Sequence, residues 1–476
     1  MAEPTIFVIF GATGDVVAKK VIPALWHLRE KGTLPELFRV IGVSRRDVPD
    51  TEFQNHVRAT IAAHAEISPD EPKLVAFSEL FSIEKGNDGE TVDYKALATT
   101  LGRVDGEWRV CANKLFYLAI PPDAYESTLK ELSASGLTEE CADETGWTRI
   151  LVEKPIGSDA ATATKIDELL GSLFEEKQIY RIEHYLAKEM LRNILTFRFT
   201  NNLFEMSWDK RTIESIHIRL WETLGVEKRG SFYDDVGALR DVGQNHLLQM
   251  MALVTMDRPS SFSADAIREK RAELLESLVP PTPEVVEDHT FRGQYEGYRE
   301  IKGVSPDSET ETFFKIRTSL AHPRWGGVPI IMESGKRMHE RAKDIVVTFK
   351  HPEPCLCPPD SEHFKNRVIF SIEPKEGIMI EFWSKKPGHG YEIEKRSFDF
   401  LLRGEGEKRS QYVEEYEKLI LDGINGDQTL FVNTEELRAM WRFIDPIVDA
   451  WKTGTVPLTP YKPDTDGAED TSSYLD

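Results

Sequence analysis

The chain has few cysteines and no long hydrophobic segment. Four cysteines among 476 residues are too few for the disulfide framework that stabilises small secreted domains. No stretch approaches the roughly 18 consecutive apolar residues that a membrane-spanning helix needs. Residues 1–4 lack the basic segment with which a secretory leader begins. We therefore expect a soluble protein of a reducing compartment, the cytoplasm, with no membrane partner.

Positive charge is also scarce. Lysine and arginine total 59 against 81 aspartates and glutamates, so the formal net charge is −22. Nucleic acid would meet net repulsion at long range, and we predict no nucleic-acid partner. A small anionic ligand stays possible, because a local cluster of cationic side chains can dominate the potential inside a cleft.

Cys355 and Cys357 are the cysteines close enough in sequence to share a metal ion. Zinc sites use four ligands at recognisable spacing, whereas the prolines around this pair make residues 351–359 typical of a loop. We predict no metal site, and zinc on this pair is the alternative.

Short apolar runs separated by helical segments dominate the first third of the chain. The segments 122–135 and 158–176 are long enough for crossover helices. This alternation is typical of a doubly wound parallel sheet, and we predict a Rossmann-like α/β domain over 1–178. Its apolar runs are 5–10, 40–43, 115–120 and 150–152.

After residue 178 apolar and polar positions alternate within each run, as in half-buried antiparallel strands. Such runs occur at 213–221, 345–349, 368–372 and 378–383. We predict helices at about 241–256 and 264–278, and a larger α+β domain on a mainly antiparallel sheet over 179–463. The segment 464–476 is acidic and poor in apolar residues, which predicts a disordered tail.

Two glycines directly follow the first predicted strand. Gly11 and Gly14 belong to Gly-Ala-Thr-Gly-Asp at 11–15, which opens a helical pattern. Gly11 permits a tight turn, and Gly14 lets backbone N–H groups approach a pyrophosphate at a helix N-terminus. A plain turn is the alternative, but the place of this loop after the first strand of an α/β pattern favours a dinucleotide site.

The second predicted strand indicates NADP rather than NAD. An acidic residue at its end would bind a ribose 2′-hydroxyl, and a cation would bind a 2′-phosphate. The strand runs into Ser44, Arg45 and Arg46, with no acid before Asp47. Arg45 is the predicted phosphate contact, with Ser44 and Thr13 as hydroxyl donors. The alternative is that both arginines are solvated surface residues.

Three further segments concentrate ionisable side chains, at 153–155, 181–189 and 240–250. If the second is helical at its end, His184 and Lys188 lie on one face and offer a doubly cationic stripe to an anion. Each segment taken singly also has a structural explanation. Together with the nucleotide loop they supply what a dehydrogenase of a phosphorylated alcohol needs: a base, an orienting carboxylate and cations.

Seven motifs occur in one order along the chain. They are Gly-Ala-Thr-Gly-Asp at 11–15 with Lys19, Lys20 and Pro23, Phe-Tyr-Leu-Ala-Ile-Pro-Pro at 116–122, Glu-Lys-Pro-Ile-Gly at 153–157, the segments 181–189 and 240–250, Trp-Gly-Gly-Val-Pro at 325–329, and Gly335-Lys336. This set spans about residues 5 to 451 and resembles the glucose-6-phosphate dehydrogenase family, the first enzymes of the oxidative pentose phosphate pathway. His-Tyr-Leu-x-Lys-Glu and Gln-Asn-His-Leu-Leu-Gln are its most specific parts.

The resemblance implies a reaction and a role for each site residue. His246 is implied as the base that takes the proton of the C1 hydroxyl of D-glucose 6-phosphate while hydride passes to C4 of NADP, which gives 6-phosphoglucono-lactone and NADPH. Glu183 is implied as its orienting carboxylate. The implied substrate-binding residues are Lys154, His184, Tyr185, Lys188, Glu222, Asp241 and Lys336. The implied cofactor-binding residues are Gly11, Thr13, Gly14, Asp15, Ser44, Arg45 and Lys154. The family also implies a homodimer or homotetramer.

Three residues depart from the family's pattern. Glu183 stands where the family usually has Asp, so the carboxylate has a longer stem and we expect an altered rate. Glu333 stands where the family commonly has Arg, and it weakens binding of an anionic sugar at Lys336 unless it points away. Val17 takes the place of a small third residue in the phosphate loop, which puts close helix–strand packing in question.

Two other functions fit parts of the sequence. A sugar dehydrogenase like glucose-fructose oxidoreductase also pairs a dinucleotide domain with a Glu-Lys-Pro segment, but it would not require the 6-phosphate. A non-catalytic, NADP-sensing paralogue would keep the fold without turnover, as the Glu183 and Glu333 departures suggest. The sequence also leaves open the use of NAD beside NADP and a second, structural NADP near 385–388.

Overall fold

The computed structural model describes residues 3–84, 86–87, 91–139, 146–357, 363–402 and 413–467. The chain divides into two units. The first consists of residues 1–187, 263–265 and 412–434, and the second of 188–262, 266–411 and 435–476. The division near 187/188 differs from the predicted boundary at 178/179, and two later segments of the predicted second domain, 263–265 and 412–434, also belong to the first unit.

The described strands are, in chain order, β1 (Thr5–Phe10), β2 (Phe38–Val43), β3 (Phe81–Glu84), β4 (Gly86–Asn87), β5 (Thr91–Val92), β6 (Asn113–Leu118), β7 (Thr148–Val152), β8 (Ile179–Ile182), β9 (Ile213–Trp221), β10 (Thr290–Tyr295), β11 (Phe313–Thr318), β12 (Ile330–Gly335), β13 (Ala342–Phe349), β14 (Arg367–Glu373), β15 (Gly377–Lys385), β16 (Ile393–Leu401), β17 (Phe431–Val432) and β18 (Leu458–Tyr461).

The described α-helices are α1 (Ile22–Glu30), α2 (Asp50–Ala65), α3 (Pro72–Ser78), α4 (Tyr94–Trp108), α5 (Tyr125–Ala134), α6 (Ala160–Leu173), α7 (Glu189–Thr200), α8 (Asn202–Glu205), α9 (Gly230–Ala238), α10 (Leu248–Thr255), α11 (Ala264–Glu276), α12 (Pro283–His289), α13 (Glu415–Asn425) and α14 (Thr434–Lys452). The segments Val17–Val21 and Leu239–Leu247 are π-helical.

The first unit contains a seven-stranded sheet in the order β17-β8-β7-β6-β1-β2-β3. All neighbours pair in parallel except β17, which is antiparallel to β8. Strands β4 and β5 form a separate hairpin. Without the added edge strand β17, the six parallel strands follow the strand order of the Rossmann fold. Every residue of β1 is buried, which explains its uninterrupted apolar run. The predicted doubly wound α/β fold is confirmed.

The second unit contains a nine-stranded sheet in the order β16-β15-β14-β13-β9-β12-β11-β10-β18. Its neighbours are antiparallel except for the pairs β9–β12 and β10–β18. The helix α7 packs against β14, and the π-helical segment Leu239–Leu247 packs against β9 and β12. The prediction of a larger α+β domain on a mainly antiparallel sheet is confirmed.

The start of the predicted disordered tail is ordered in the structure. Arg337 donates two hydrogen bonds to the carboxylate of Asp464, at 3.1 and 2.9 Å. The backbone N–H of His339 donates to the carbonyl of Thr465 at 2.9 Å, and its ring nitrogen lies 2.5 Å from an oxygen of Asp466. These contacts offset the low apolar content of 464–467, and residues 468–476 lie outside the described part.

The cysteines are in two states. Cys111 is disulfide-bonded, which differs from the expectation of reduced cysteines. Cys355 and Cys357 are free, and Cys141 lies outside the described residues. Across the described ranges, no helix is both long and apolar enough to cross a membrane.

Candidate active site

The phosphate loop leaves β1 at Gly11, where only glycine fits. Its φ of +79° belongs to the left-handed region, and an added Cβ would lie 2.3 Å from the carbonyl oxygen of Ala119. The Gly11 N–H donates to the carbonyl of Val43 at 3.1 Å, and the Gly14 N–H donates to the carbonyl of Gly11 at 2.9 Å. The missing side chain therefore allows the loop to turn beside the end of β6 and keeps its backbone open to a pyrophosphate.

Close packing at this loop is preserved despite Val17. The side chain of Val17 is fully buried. A Cβ added to Gly42 of β2 would lie 2.8 Å from the Cβ of Ala12 and 3.1 Å from the Phe53 ring. The small residue that lets loop and sheet approach is thus supplied by the neighbouring strand, and the departure at Val17 does not disturb the packing.

The end of β2 presents cations beside the phosphate loop. Ser44 is buried and its hydroxyl accepts the Arg46 N–H at 3.1 Å, while Arg45 and Arg46 are exposed. The bond from Gly11 to Val43 fixes this strand end next to the loop. Thr13 and Asp15 are exposed, and Asp15 forms an ion pair with Lys19 at 2.6 Å. A glycine-rich loop flanked by two exposed arginines fits a phosphorylated dinucleotide such as NADP.

Glu153, at the carboxyl end of β7, is the centre of a buried network that the sequence did not reveal. Its carboxylate accepts hydrogen bonds from the hydroxyls of Tyr117 at 2.5 Å and Tyr416 at 2.8 Å. The hydroxyl of Tyr125 donates to its carbonyl at 2.7 Å. Burial raises the pKa of Glu153, and the tyrosine hydrogen bonds oppose that rise. The network fixes the backbone that presents the half-buried Lys154.

The segment after β8 forms a turn, so the condition for a shared helical face of His184 and Lys188 is not met. The N–H groups of Leu186 and Ala187 donate to the carbonyls of Glu183 and His184, at 3.0 and 3.2 Å. The helix α7 begins only at Glu189, and Lys188 before it is extended. His184 belongs to the first unit and Lys188 to the second, so they do not form one stripe on a helix.

Glu183, His184 and Tyr185 have defined surroundings in the first unit. Glu183 is 2% exposed, and its carboxylate accepts the Tyr185 N–H at 3.0 Å. The half-buried His184 ring lies 5.1 Å from the buried Tyr185 ring and stacks 6.5 Å from Tyr416. Aromatic contacts therefore orient the imidazole.

Arg181 has a structural role. Its buried guanidinium lies 2.6 Å from Asp167 and 2.9 Å from Glu176, and it also donates to the Thr434 hydroxyl. These partners tie β8 to residues far along the chain.

His246 lies in the second unit on the π-helical segment Leu239–Leu247. It is 4% exposed, and its backbone N–H donates to the side-chain oxygen of Asn245 at 2.6 Å. In a π-helix, backbone hydrogen bonds join residues that are five apart in sequence. Asp241 and His246 are five residues apart and therefore lie about one turn apart on one face. An ordinary α-helix would not have aligned them.

Glu311 holds the start of this segment and was not found from the sequence. Its buried carboxylate accepts the Leu239 N–H at 2.9 Å. Gly237, with φ +73°, makes room for it, because a Cβ there would lie 2.4 Å from the Glu311 carboxylate. Burial raises the pKa of Glu311, although the hydrogen bond from Leu239 opposes the rise. Glu311 is thus a positioning residue for Asp241 and His246.

Lys336 is surrounded by the predicted sugar-binding residues of the same unit. Its ammonium forms an ion pair with Glu222 and lies 3.8 Å from Asp241. It also lies 5.5 Å from the centre of the Tyr233 ring. Two carboxylates about one cation provide acceptors for several hydroxyl groups, as sugar binding requires.

Glu333 does not oppose the charge of Lys336. It is buried in β12, and its carboxylate lies 3.4 Å from the ring nitrogen of His217. Successive residues of a strand face opposite sides of a sheet. Gly243 of the segment 239–247 packs on Phe314, which pairs with Ser334. Glu333 therefore faces the side away from this segment and from Asp241, the neighbour of Lys336. The expected weakening of anion binding has no structural basis at this position.

Lys188 belongs to a cationic cluster in the second unit. Its ammonium lies 2.9 Å from Glu373, which also pairs with Lys343 at 3.0 Å and with Arg341. Glu373 therefore gathers three cationic side chains at one place. Lys343 was missed because its place is set by the pairing of β13 with β14. Burial lowers the pKa of Lys343.

Glu373→Gln should destabilise this cluster. Burial alone would raise the pKa of Glu373, but the charges of Lys343 and Lys188 outweigh it and lower the pKa to about 2. The ionised form therefore adds stability above the ordinary pKa near 4.5, and this is lost as pH falls towards 2. We expect a loss of about 2 kcal/mol at pH 7 that shrinks at pH 3, measured by urea unfolding. The exposed Glu392→Gln is the control, and an equal loss at both pH values would contradict the prediction.

These features define a class. A Rossmann sheet with a glycine cradle, in one chain with a sheet that supports a buried imidazole among carboxylates and cations, defines a nicotinamide-dependent oxidoreductase.

Comparison with known proteins identifies the family. A family model described as the NAD binding domain of glucose-6-phosphate dehydrogenase matches residues 8–193, and one described as its C-terminal domain matches 195–476. A glucose-6-phosphate 1-dehydrogenase from Aggregatibacter actinomycetemcomitans is 39% identical over 462 residues, which cover 94% of this chain and 91% of that relative. One from Mycolicibacterium smegmatis is 36% identical over 491 residues and covers 100% and 96%. The chain belongs to the glucose-6-phosphate dehydrogenase family.

A solved structure agrees with this assignment. It is described as glucose-6-phosphate dehydrogenase in complex with its substrate glucose-6-phosphate, and it is 30% identical to this chain. The TM-score is 0.88, with 100% of this chain and 98% of that one covered.

Proposed function

We propose that this chain oxidises D-glucose 6-phosphate at C1 and reduces NADP, giving 6-phosphoglucono-lactone and NADPH, the first step of the oxidative pentose phosphate pathway. The observation that carries the proposal is the π-helical segment, which aligns Asp241 with the buried His246. NADP, when bound, accepts the hydride at C4. Every other part of the chemistry falls to side chains of this protein.

His246 is the proposed base. A neutral imidazole accepts the proton of the C1 hydroxyl near neutral pH. Glu183, as a carboxylate, is proposed to fix the tautomer of the neutral imidazole and to compensate the charge of the imidazolium that forms. Asp241, Glu222 and Lys336 are proposed to orient the sugar hydroxyls, which brings C1 into a reactive position.

The 6-phosphate is proposed to bind His184, Tyr185 and Lys188. The three cations gathered at Glu373 support this, and Lys343 joins the proposed ligands because it shares that carboxylate with Lys188. Lys154 is proposed to contact both substrate and cofactor. Gly11, Thr13, Gly14, Asp15, Ser44 and Arg45 are proposed to bind the cofactor.

Phosphate dependence tests the reaction. We compare kcat/KM for glucose 6-phosphate with that for glucose, at fixed NADP. A site built to bind a phosphate rejects the analogue that lacks it, and we expect a preference of about 1,000-fold or more. Equal turnover of both sugars would favour the glucose-fructose oxidoreductase-like alternative.

Arg45→Glu should separate the two nicotinamide cofactors. It replaces a charge-assisted contact to the 2′-phosphate by repulsion, so KM for NADP should rise about tenfold or more while KM for NAD changes little. Arg46→Glu, an exposed neighbour with the same charge change, is the control. Equal effects of both variants on NADP, or of Arg45→Glu on NAD, would exclude Arg45 as the 2′-phosphate contact.

We also propose that the chain forms a homo-oligomer, a dimer or a tetramer. The strand β16 at the edge of the large sheet supports this, since Phe398 is 64% and Phe400 54% exposed. Apolar side chains on an edge strand favour pairing with another copy.

The double substitution Phe398→Glu and Phe400→Glu is expected to lower the mass in solution, because it places four charges in a dimer interface. Light scattering after gel filtration measures that mass. Leu203→Glu, at a still more exposed apolar position on α8, should leave it unchanged. An unchanged mass in the β16 variant would place the interface elsewhere.

Cytoplasmic localisation is a further proposal, supported by the small number of cysteines. Cell fractionation against a cytoplasmic marker enzyme tests it. Recovery of the protein outside the cytoplasmic fraction would overturn it.

A further inference from the structure

The connection between β13 and β14 carries a cluster of metal-ligating side chains that the proposed reaction does not use. His351, Cys355 and His363 each offer a ligand atom, and these atoms all lie within 4.8 Å of one another. All three residues belong to the second unit. His351 is half-buried, and Cys355 and His363 are exposed, so a metal ion can reach them from solvent.

One pair of ligand atoms has the spacing found in a tetrahedral zinc site. Zinc bonds of about 2.0 to 2.3 Å to nitrogen and sulfur place neighbouring ligand atoms about 3.3 to 3.8 Å apart. The Sγ of Cys355 lies 3.6 Å from the Nδ1 of His363. The rings of His351 and His363 are stacked, with their centres 4.5 Å apart and their planes 13° from parallel.

Cys357 lies beside Cys355 of this cluster. Its thiol is a hydrogen-bond partner of Cys355, and both cysteines are free. The Sγ of Cys357 also accepts the backbone N–H of Phe364 at 3.2 Å. Hydrogen bonds of this kind fix the direction of a ligand and stabilise its charged form, as the outer partners of metal ligands do.

The cations that flank the cluster are directed to other partners. Lys350 donates to the carbonyl of Lys210 at 2.7 Å, and Lys365 lies 2.8 Å from Glu214. Neither ammonium therefore needs to share the cluster with a metal ion. Two thiolates would balance the charge of a divalent cation, and the mixture of sulfur and imidazole ligands selects zinc over magnesium or calcium.

We propose that His351, Cys355, Cys357 and His363 bind one zinc ion that joins the two ends of the β13–β14 connection. The ion is structural, because all four positions for ligands are filled by protein and none is left for substrate. This revises the prediction of no metal site. The sequence showed the cysteine pair, but only the fold brings a histidine from each side to it.

Zinc content measured on the full chain tests the proposal. The protein is purified with reductant, loaded with zinc, dialysed against metal-free buffer and analysed by mass spectrometry for metal. We expect about one zinc per chain, and a loss of at least about fivefold in Cys355→Ser and in His363→Gln. His389→Gln, an exposed histidine of the same unit, should retain it.

Cobalt substitution gives an independent measurement of the ligands. Cobalt(II) bound by two thiolates and two imidazoles shows strong thiolate charge-transfer absorption and the intense visible bands of tetrahedral geometry. Both should weaken in Cys355→Ser and in Cys357→Ser. Wild type without zinc after dialysis, although its two thiols titrate as reduced, would overturn the proposal, as would zinc retained by the combined Cys355→Ser and His363→Gln variant.

Discussion

The variant His246→Asn is expected to lower kcat for glucose 6-phosphate oxidation about 1,000-fold. Asparagine is close in size to histidine and keeps a hydrogen-bonding group, but it cannot take a proton near neutral pH, and a general base contributes about 100- to 10,000-fold to a rate. NADP affinity should stay unchanged, because His246 and the phosphate loop belong to different units. The absorbance of NADPH under saturating substrate measures turnover, and NADP titration of fluorescence measures affinity.

His217→Asn is the matched control. His217 lies in the same unit and pairs with Glu333, on the side of the sheet away from Lys336, so its replacement should change kcat less than about twofold. If His246→Asn keeps a tenth or more of the wild-type kcat, the base is another group. If wild type binds NADP and turns over no faster than His246→Asn, the chain is the non-catalytic paralogue.

The strands and the phosphate loop were predictable because their causes are local. The run at 5–10 is apolar throughout since β1 is buried on both faces, and Gly11 marks a turn that other residues cannot make. The turn after β8 was not predictable from helical spacing. Glu183 accepts a backbone N–H two residues on, and such local side-chain bonds compete with helix formation.

The residues that support the site were missed for a different reason. Glu311 reaches the π-helical segment from far along the chain, and Lys343 reaches Lys188 through a carboxylate on the neighbouring strand. No periodicity in the sequence reports such contacts. The π-helix could not be predicted either. The five-residue spacing of Asp241 and His246 places them on one face only if the helix type is already known.

The predicted boundary at 178/179 lies before the short strand β8, whereas the structure divides after it, near 187/188. The strand β8 has four residues and includes Arg181, so it lacks the apolar signature of β1. Arg181 can be buried there because Asp167 and Glu176 compensate its charge. The composition changes at 178, whereas the parallel sheet continues through β8.

The second large effect is expected for Gly11→Ala, which should weaken NADP binding about 100-fold. The new Cβ would lie 2.3 Å from the backbone oxygen of Ala119, and neither backbone can yield without moving the end of β1 or β6. The loop would shift and its N–H groups would no longer converge on the pyrophosphate. The left-handed φ adds strain of about 1 to 2 kcal/mol. Fluorescence titration with NADP measures the affinity.

Gly32→Ala separates these two causes. Gly32 also has a left-handed φ, of +66°, but no atom lies within 4 Å of an added Cβ. It should lose about 1 kcal/mol of stability in urea unfolding and keep NADP affinity within about twofold. If Gly11→Ala binds NADP as tightly as Gly32→Ala does, the close approach at Ala119 is not what shapes the cofactor site. If Gly32→Ala also loses affinity, the loss at Gly11 reports general destabilisation of the unit. The expected pattern, in which stability falls in both variants and affinity in one, arises only if the loop must pass against β6 to hold the dinucleotide.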